Sequence, residues 1–180
     1  VRVGEEGFQG VVFTAGEIAV SPPEQVVSAS RLQVPHFVET TWLNGQLRLL
    51  GHGEIPTEAL AGSELPVDLF WHVPEGSLPA DLNLAWTLRP PVGEETRVIH
   101  LGPLSRYDTG LWRAGETIQE KYRVPLPPDL SPGRYTLTVG PSDGSLLGDP
   151  QTLGEIQINN IDRLYGVDVP VPYLVSFGAL

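Results

Sequence analysis

The chain predicts an all-β fold, an antiparallel sandwich of about seven to nine strands. Three observations carry that expectation. Apolar residues recur with period two, as in strands that bury one face. Eighteen prolines and twenty glycines in 180 residues cut the chain into short segments. No amphipathic window reaches the length of an ordinary helix. The clearest strand is 64–73, where Leu65, Val67, Leu69, Trp71 and Val73 alternate with Pro66, Asp68, Phe70 and His72. The first set is placed inward and the second outward. Leu82, Leu84, Trp86 and Leu88 repeat the pattern, and 46–51, 95–101, 117–125, 133–140 and 153–158 complete seven candidates. Between them lie turn clusters such as Pro74-Glu75-Gly76, Pro90-Pro91-Val92-Gly93 and Pro127-Pro128-Asp129. A short helix within 23–32, after a capping Ser21, is the one helical segment expected.

The segment Leu130-Ser131-Pro132-Gly133-Arg134-Tyr135 narrows the fold. A Pro-Gly turn that leads into a strand through a tyrosine resembles the tyrosine corner of immunoglobulin-like sandwiches, where the phenol bonds nearby backbone. Tyr135 is therefore read as a structural tie. The expected core is Leu49, Leu65, Val67, Leu69, Trp71, Leu84, Trp86, Tyr135, Leu137, Val139 and Ile156.

A weak internal repeat bears on domain organisation. Val1-Arg2-Val3-Gly4 and Gly16-Glu17-Ile18 recur in the same order as Leu137-Thr138-Val139-Gly140 and Gly154-Glu155-Ile156, the two Gly-Glu-Ile triplets lying 138 residues apart. After each triplet a connector rich in Pro and Val leads to a Gly-x-Leu, Gly45-Gln46-Leu47 and Gly178-Ala179-Leu180. The expected division is therefore 1–20 as terminal strands of a preceding unit, 21–44 as connector, 45–158 as the sandwich and 159–180 as connector to a following unit. The strands of 1–20 are expected to pair with 153–158, with 170–176 or with a second molecule, because an unpaired edge is adhesive.

Several stretches follow one another in a characteristic order: Leu47-Arg48-Leu49-Leu50-Gly51, Leu65-Pro66-Val67-Asp68-Leu69-Phe70-Trp71, Gly102-Pro103-Leu104, Trp112-Arg113-Ala114-Gly115-Glu116, Tyr122-Arg123-Val124-Pro125-Leu126-Pro127, Pro132-Gly133-Arg134-Tyr135 and Leu153-Gly154-Glu155-Ile156. That order is similar to β-sandwich modules found, often in tandem, in the extracytoplasmic parts of bacterial polytopic membrane glycosyltransferase-like and cell-surface proteins. The resemblance implies an extracytoplasmic or cell-surface location and neighbouring domains of the parent protein as partners. It brings no catalytic residues with it. The chain departs from such modules where it has Leu84-Ala85-Trp86-Thr87-Leu88 in place of an aromatic-Val-His-Leu strand, and Gly140-Pro141-Ser142-Asp143 in place of Gly-Leu-Tyr-Asp.

Charge and composition exclude other classes. Eleven Lys and Arg face twenty-two Asp and Glu, a formal charge of −11, and Lys121 is the sole lysine. Nucleic acid and anionic membranes attract clustered positive charge, so neither is an expected partner. Without cysteine there is no thiol nucleophile, disulfide or Cys-ligated zinc. His36, His52, His72 and His100 lie sixteen or more residues apart and form no H-x-H or H-E-x-x-H pair, so no metal site is expected. No Gly-x-Ser-x-Gly elbow is present, and Glu5-Glu6, Asp81, Glu94-Glu95 and Asp129 fall in turns, as solvated carboxylates do. The loop Asp143 to Asp149 lacks the alternating acidic ligands of a calcium loop and reads as a Gly-rich hairpin. No Gly cluster opens a helix to cradle phosphate, so neither cofactor nor catalytic residue is expected, and the chain reads as not an enzyme.

Aromatic residues supply the remaining chemistry. Trp42, Tyr107, Trp112 and Tyr165 lie outside the clearest strands, and Phe70 faces away from Trp71. Exposed in a row, such rings stack on the C–H faces of sugars. Two readings follow: a non-catalytic spacer, scaffold or protein-interaction module, and a carbohydrate-binding module with a glycan on Trp42, Phe70, Tyr107 and Trp112. Ten arginines to one lysine, no Cys or Met and proline-rich loops also suit a heat-resistant chain.

Overall fold

The computed structural model describes residues 3–4, 7–8, 32–90 and 96–160. Eleven strands run β1 (Val3–Gly4), β2 (Gly7–Phe8), β3 (His36–Trp42), β4 (Leu47–His52), β5 (Glu58–Leu60), β6 (Glu64–His72), β7 (Asn83–Arg89), β8 (Arg97–Pro103), β9 (Thr117–Pro125), β10 (Gly133–Ser142) and β11 (Gln151–Asn159). β1 and β2 pair with each other. The other nine form two sheets, β3-β4-β6-β9 and β5-β11-β10-β7-β8. Among the described residues there is no α-helix, only two short 3-10 turns at Leu43–Gly45 and Thr109–Leu111. The fold is a β-sandwich.

Its strand order is that of an immunoglobulin-like domain. β4, β6 and β9 stand as A, B and E on one sheet, and β7, β10 and β11 as C, F and G on the other, with β8 beside C. The phenol of Tyr135, near the start of β10, donates to the carbonyl of Ser131 at 3.0 Å, the tie of a tyrosine corner. Trp86 is the buried tryptophan of strand C. All pairings in the sandwich are antiparallel except that of β5 with β11, which is parallel. After β4 the chain leaves the four-stranded sheet and reaches the outer side of β11 running in the same direction.

The core lies between the sheets, and every residue assigned to it from the sequence is buried there. Trp71, Trp86, Leu65, Leu69, Leu84, Leu137 and Ile156 are essentially sealed from solvent. A bulge after Leu137 pairs Leu137 with Gly154 and Thr138 with Thr152, leaving Leu153 as the extra residue. This is why Leu153 and Ile156 both face inward although an odd number of positions separates them.

Two strands and one side chain depart from expectation. β3 arises from the stretch 21–44 read as connector, and its side chains run mostly exposed until Trp42. A sheet edge needs no apolar alternation, and a bulge between Phe37 and Thr40 erases what remains of the period. β5 has only three residues, too few to show a period. Phe70 points away from the core as expected, yet it is buried. Its cross-strand neighbour is Gly51, and a Cβ on Gly51 would lie 2.5 Å from Cγ1 of Val34. Val34 thus fills the space over Gly51, and Val34 and Phe70 are both buried outside the core cluster.

The helix expected within 23–32, the pairing of 170–176, the first Gly-Glu-Ile triplet and Tyr165 lie outside the described residues. Among those described, β11 has β10 on one side and β5 on the other. No helix there is long and apolar enough to cross a membrane.

Candidate functional site

The expected ring platform is not formed. Trp42, at the end of β3, is 5% exposed; its ring lies 6.1 Å from that of Trp71 and its Nε1 donates to the carbonyl of Asp149 at 3.0 Å. Trp112 is 2% exposed, seated in the core after a 3-10 turn, and Phe70 is 4% exposed. These three rings are spent on burial, worth about 1.5–3 kcal/mol for each large apolar side chain, and they offer no face to a sugar. Tyr107 alone of the four stands out, at 40% exposure.

Tyr107 belongs to the loop between β8 and β9, which two devices hold in place. The Thr109 hydroxyl donates to the carbonyl of Pro79 at 2.6 Å and accepts from the Leu82 N–H at 3.3 Å, pinning this loop to the one before β7. The Asp108 carboxylate caps Gly110 N–H at 2.8 Å. Beyond the loop, Trp112-Arg113-Ala114-Gly115-Glu116 is a tight turn. Gly115 sits at φ 79, in the left-handed region that glycine tolerates, and its N–H donates to the carbonyl of Val73 at 2.7 Å.

Two adjoining grooves flank this loop and share Arg106. The first, about 550 Å³, lies on the outer face of β6 and β9 and is lined by Asp68, Gln119, Glu120, Lys121, Tyr122 and Arg123. The second, about 430 Å³, lies against the start of β7 and is lined by Asp81, Asn83, Ser105, Tyr107, Asp108 and Thr109. In the first groove charges are mutually satisfied: Asp68 accepts from Gln119 at 2.9 Å and sits 3.5 Å from Lys121, while Arg123 lies 3.7 Å from Glu64. Ser105 donates to the Glu120 carboxylate and accepts from the Tyr107 N–H at 3.0 Å. Arg106 has no ion pair or hydrogen bond among the described residues. A third groove, beside β5, carries Arg134 and Glu155 in a pair at 3.6 Å.

Two of the histidines, His36 and His52, meet across β3 and β4, while His72 and His100 stand on other strands. His36 contacts Glu54 at 3.1 Å and stacks on His52 with ring centroids 5.0 Å apart; His72 shares a hydrogen bond with Thr117. Among the described residues no three His, Cys, Asp or Glu side chains gather as metal ligands. Sequence reasoning named Tyr107 but missed Arg106, Asn83 and Asp108. No local motif marks them, since the grooves arise only where two loops meet.

Fold and strand order thus define an immunoglobulin-like β-sandwich domain. No family model and no curated protein matches the chain. Among solved structures it is similar to the C-terminal domain of wzt, with 15% identity and a TM-score of 0.46 over 79% of this chain and 89% of that one. It is also similar to beta-glucosidase from Listeria innocua in complex with glucose, with 14% identity and a TM-score of 0.43 over 62% of this chain. The chain spans 16% of the length of that protein. A third similarity is to the Pseudomonas fluorescens alkylpurine DNA glycosylase AlkC bound to DNA containing an abasic site analog, 13% identical with a TM-score of 0.40 over 63% of this chain and 30% of that one. The expectation that the chain is not an enzyme is withdrawn: beta-glucosidase is among the structural neighbours, and a similarity this weak gives no enzyme assignment in either direction. At this identity and TM-score they transfer no activity or ligand to the chain.

Proposed function

We propose that this chain is an extracytoplasmic β-sandwich module of a larger surface or membrane-anchored protein, acting as spacer and docking surface for neighbouring domains, in the manner of the tandem modules its motif order resembles. The observation that supports this reading is where exposed apolar side chains lie. Phe37 is 76% exposed on β3, and Val98 and Leu101 are 58% and 51% exposed on β8. These are terminal strands of the four- and five-stranded sheets. Edge strands that carry large apolar side chains invite a partner, whereas isolated sandwiches protect such edges with charge or proline.

The test is photo-crosslinking in the parent protein on intact cells, with benzoylphenylalanine at Phe37, at Leu101 or, as control, at the exposed turn residue Glu75. Adducts to adjacent domains at the first two positions and none at Glu75 are expected. Equal labelling at all three, or labelling that requires cell lysis, rejects the docking role or the location respectively.

A further inference from the structure

We propose that the paired grooves around Arg106 bind a saccharide that carries a carboxylate, such as a uronate, with the acid group on the guanidinium and the hydroxyls in the groove beside Tyr107. The argument begins with what is already partnered. Asp68, Gln119 and Lys121 satisfy one another, Arg123 leans on Glu64, and Ser105 is tied to Glu120. Arg106 reaches the boundary of both grooves and is without partner among the described residues. A planar guanidinium with free donors accepts a carboxylate in bidentate fashion, the strongest of the ordinary polar contacts.

The two grooves differ in charge, and that difference gives the ligand a direction. In the first, Lys121 and Arg123 are paired with Asp68 and Glu64 and Glu120 is held by Ser105, which leaves Arg106 as the cation with open donors. In the second, Asp81 and Asp108 outnumber Arg106, joined by the neutral side chains of Asn83, Ser105, Tyr107 and Thr109. A second acid group would be repelled there, but hydroxyl groups would donate to those carboxylates and to Asn83. An exposed tyrosine ring adds an apolar surface for sugar C–H groups. One acid at one end and several hydroxyls at the other describe a uronic acid or a uronate-terminated oligosaccharide better than a phosphate dianion or an acidic peptide. The loops are held by Thr109 and Asp108 before any ligand arrives, so little ordering is required on binding. This site uses none of Phe37, Val98 and Leu101, although Pro103 at the end of β8 lines its second groove.

The experiment titrates the full 180-residue chain, 15N-labelled, with digalacturonate, galactobiose, acetate and a tripeptide with a free C-terminal carboxylate, following backbone amides. Digalacturonate is expected to shift the amides of Asn83 and of Ser105 to Thr109 with saturation in the millimolar range. Arg106→Ala is expected to weaken that binding by roughly tenfold or more, the loss of a hydrogen-bonded charge pair. Tyr107→Ala is expected to weaken it by roughly threefold to tenfold. Both side chains are exposed, and an unchanged melting midpoint shows that the fold is intact. No shifts up to about 20 mM, where a useful Kd would show, overturn the proposal. So do galactobiose shifts as strong as those of the acid, an Arg106→Ala variant that binds as well, and acetate or the tripeptide acting as strongly as digalacturonate.

Discussion

Removing one oxygen from the half-buried side chain that bridges the two sheets, in Tyr122→Phe, should cost about 2–4 kcal/mol. Tyr122 lies on β9, but its hydroxyl works across both sheets. It accepts from Nε1 of Trp71 on β6 at 3.1 Å and donates to the carbonyl of Leu104, just past β8, while its ring meets Trp86 of β7 edge-on at 5.2 Å between centroids. Trp71 and Leu104 are sealed from solvent, so neither orphaned group can turn to water. Each buried donor or acceptor left unmade costs about 1–3 kcal/mol, and the two losses overlap because one hydroxyl served both. Against a domain stability of about 5–15 kcal/mol this is a large fraction, and it corresponds to a fall of about 10 °C in Tm.

The assay is equilibrium urea unfolding of the native chain and Tyr122→Phe, where the midpoint should drop with the m-value unchanged. Burial raises the Tyr122 phenol well above its ordinary value, outweighing the Trp71 hydrogen bond that lowers it. A raised folded pKa contributes stability that is complete below the unfolded value of about 10 and disappears as pH rises through the folded one. The gap between the two proteins should therefore be constant from neutrality to about pH 10 and then narrow. A loss under about 0.5 kcal/mol, the size of an ordinary surface change, or a gap that stays constant at high pH, would refute the bridging role.

Three further outcomes follow from the same geometry. Gly51→Ala places a Cβ 2.0 Å from the His36 carbonyl oxygen, so backbone must move; a loss of about 1–3 kcal/mol is expected, with hydrogen-exchange protection lost from β3 before β6, and equal loss in both would count against a local clash. The hydrogen bond from Arg97 holds the Asp129 carboxyl below its usual range, aided by its own backbone N–H. That stabilisation is present above the unfolded pKa of about 4 and lost as pH falls through the lowered folded value, so Tm profiles of native protein and Asp129→Asn should converge in acid and separate near neutrality. Thr109→Val removes the pin between two loops; amide exchange should quicken at 78–83 and 105–111 while β6 and β9 stay protected, and a uniform rise would show a global role instead.

What was legible from the sequence is what burial imposes on alternating strands. β6 announced itself through Leu65, Val67, Leu69 and Trp71 because a central strand must send every second residue into the core. The Pro-Gly-x-Tyr turn exposed the tyrosine corner because its geometry is local. Edge strands escaped notice for the converse reason: β3 buries little and carries a bulge, and β5 sends only the small Ala59 against the core from a three-residue strand, too short to show a period. The aromatic residues misled because position outside a strong strand does not mean position outside the core. Trp42 ends an edge strand and Trp112 follows a 3-10 turn, yet both pack in the core cluster, and Phe70, opposite Gly51, is buried on the outward face. The Arg106 grooves were invisible because Asp81, Arg106 and Gln119 come from separate segments that only the folded sheet brings together.

How the chain spends its tryptophans constrains where recognition can occur. All four, Trp42, Trp71, Trp86 and Trp112, lie in the core cluster, Trp42 and Trp71 from one sheet, Trp86 from the other and Trp112 from the loop before β9. A module without disulfides needs that packing to fix two sheets against each other, so rings that would make a sugar platform elsewhere are committed to stability. In the two proposals made above, recognition falls to exposed edge residues for a protein neighbour and to loop side chains with unspent polar groups for a small ligand. Edge strands suit large flat contacts because backbone N–H and C=O groups repeat along them. The Arg106 loop suits a small polar ligand, since Thr109 fixes its direction while Arg106 keeps its donors unused. The two surfaces draw on different residues, so substitutions at Phe37 and Leu101 should leave saccharide titrations unchanged, and Arg106→Ala should leave crosslinking to neighbouring domains unchanged.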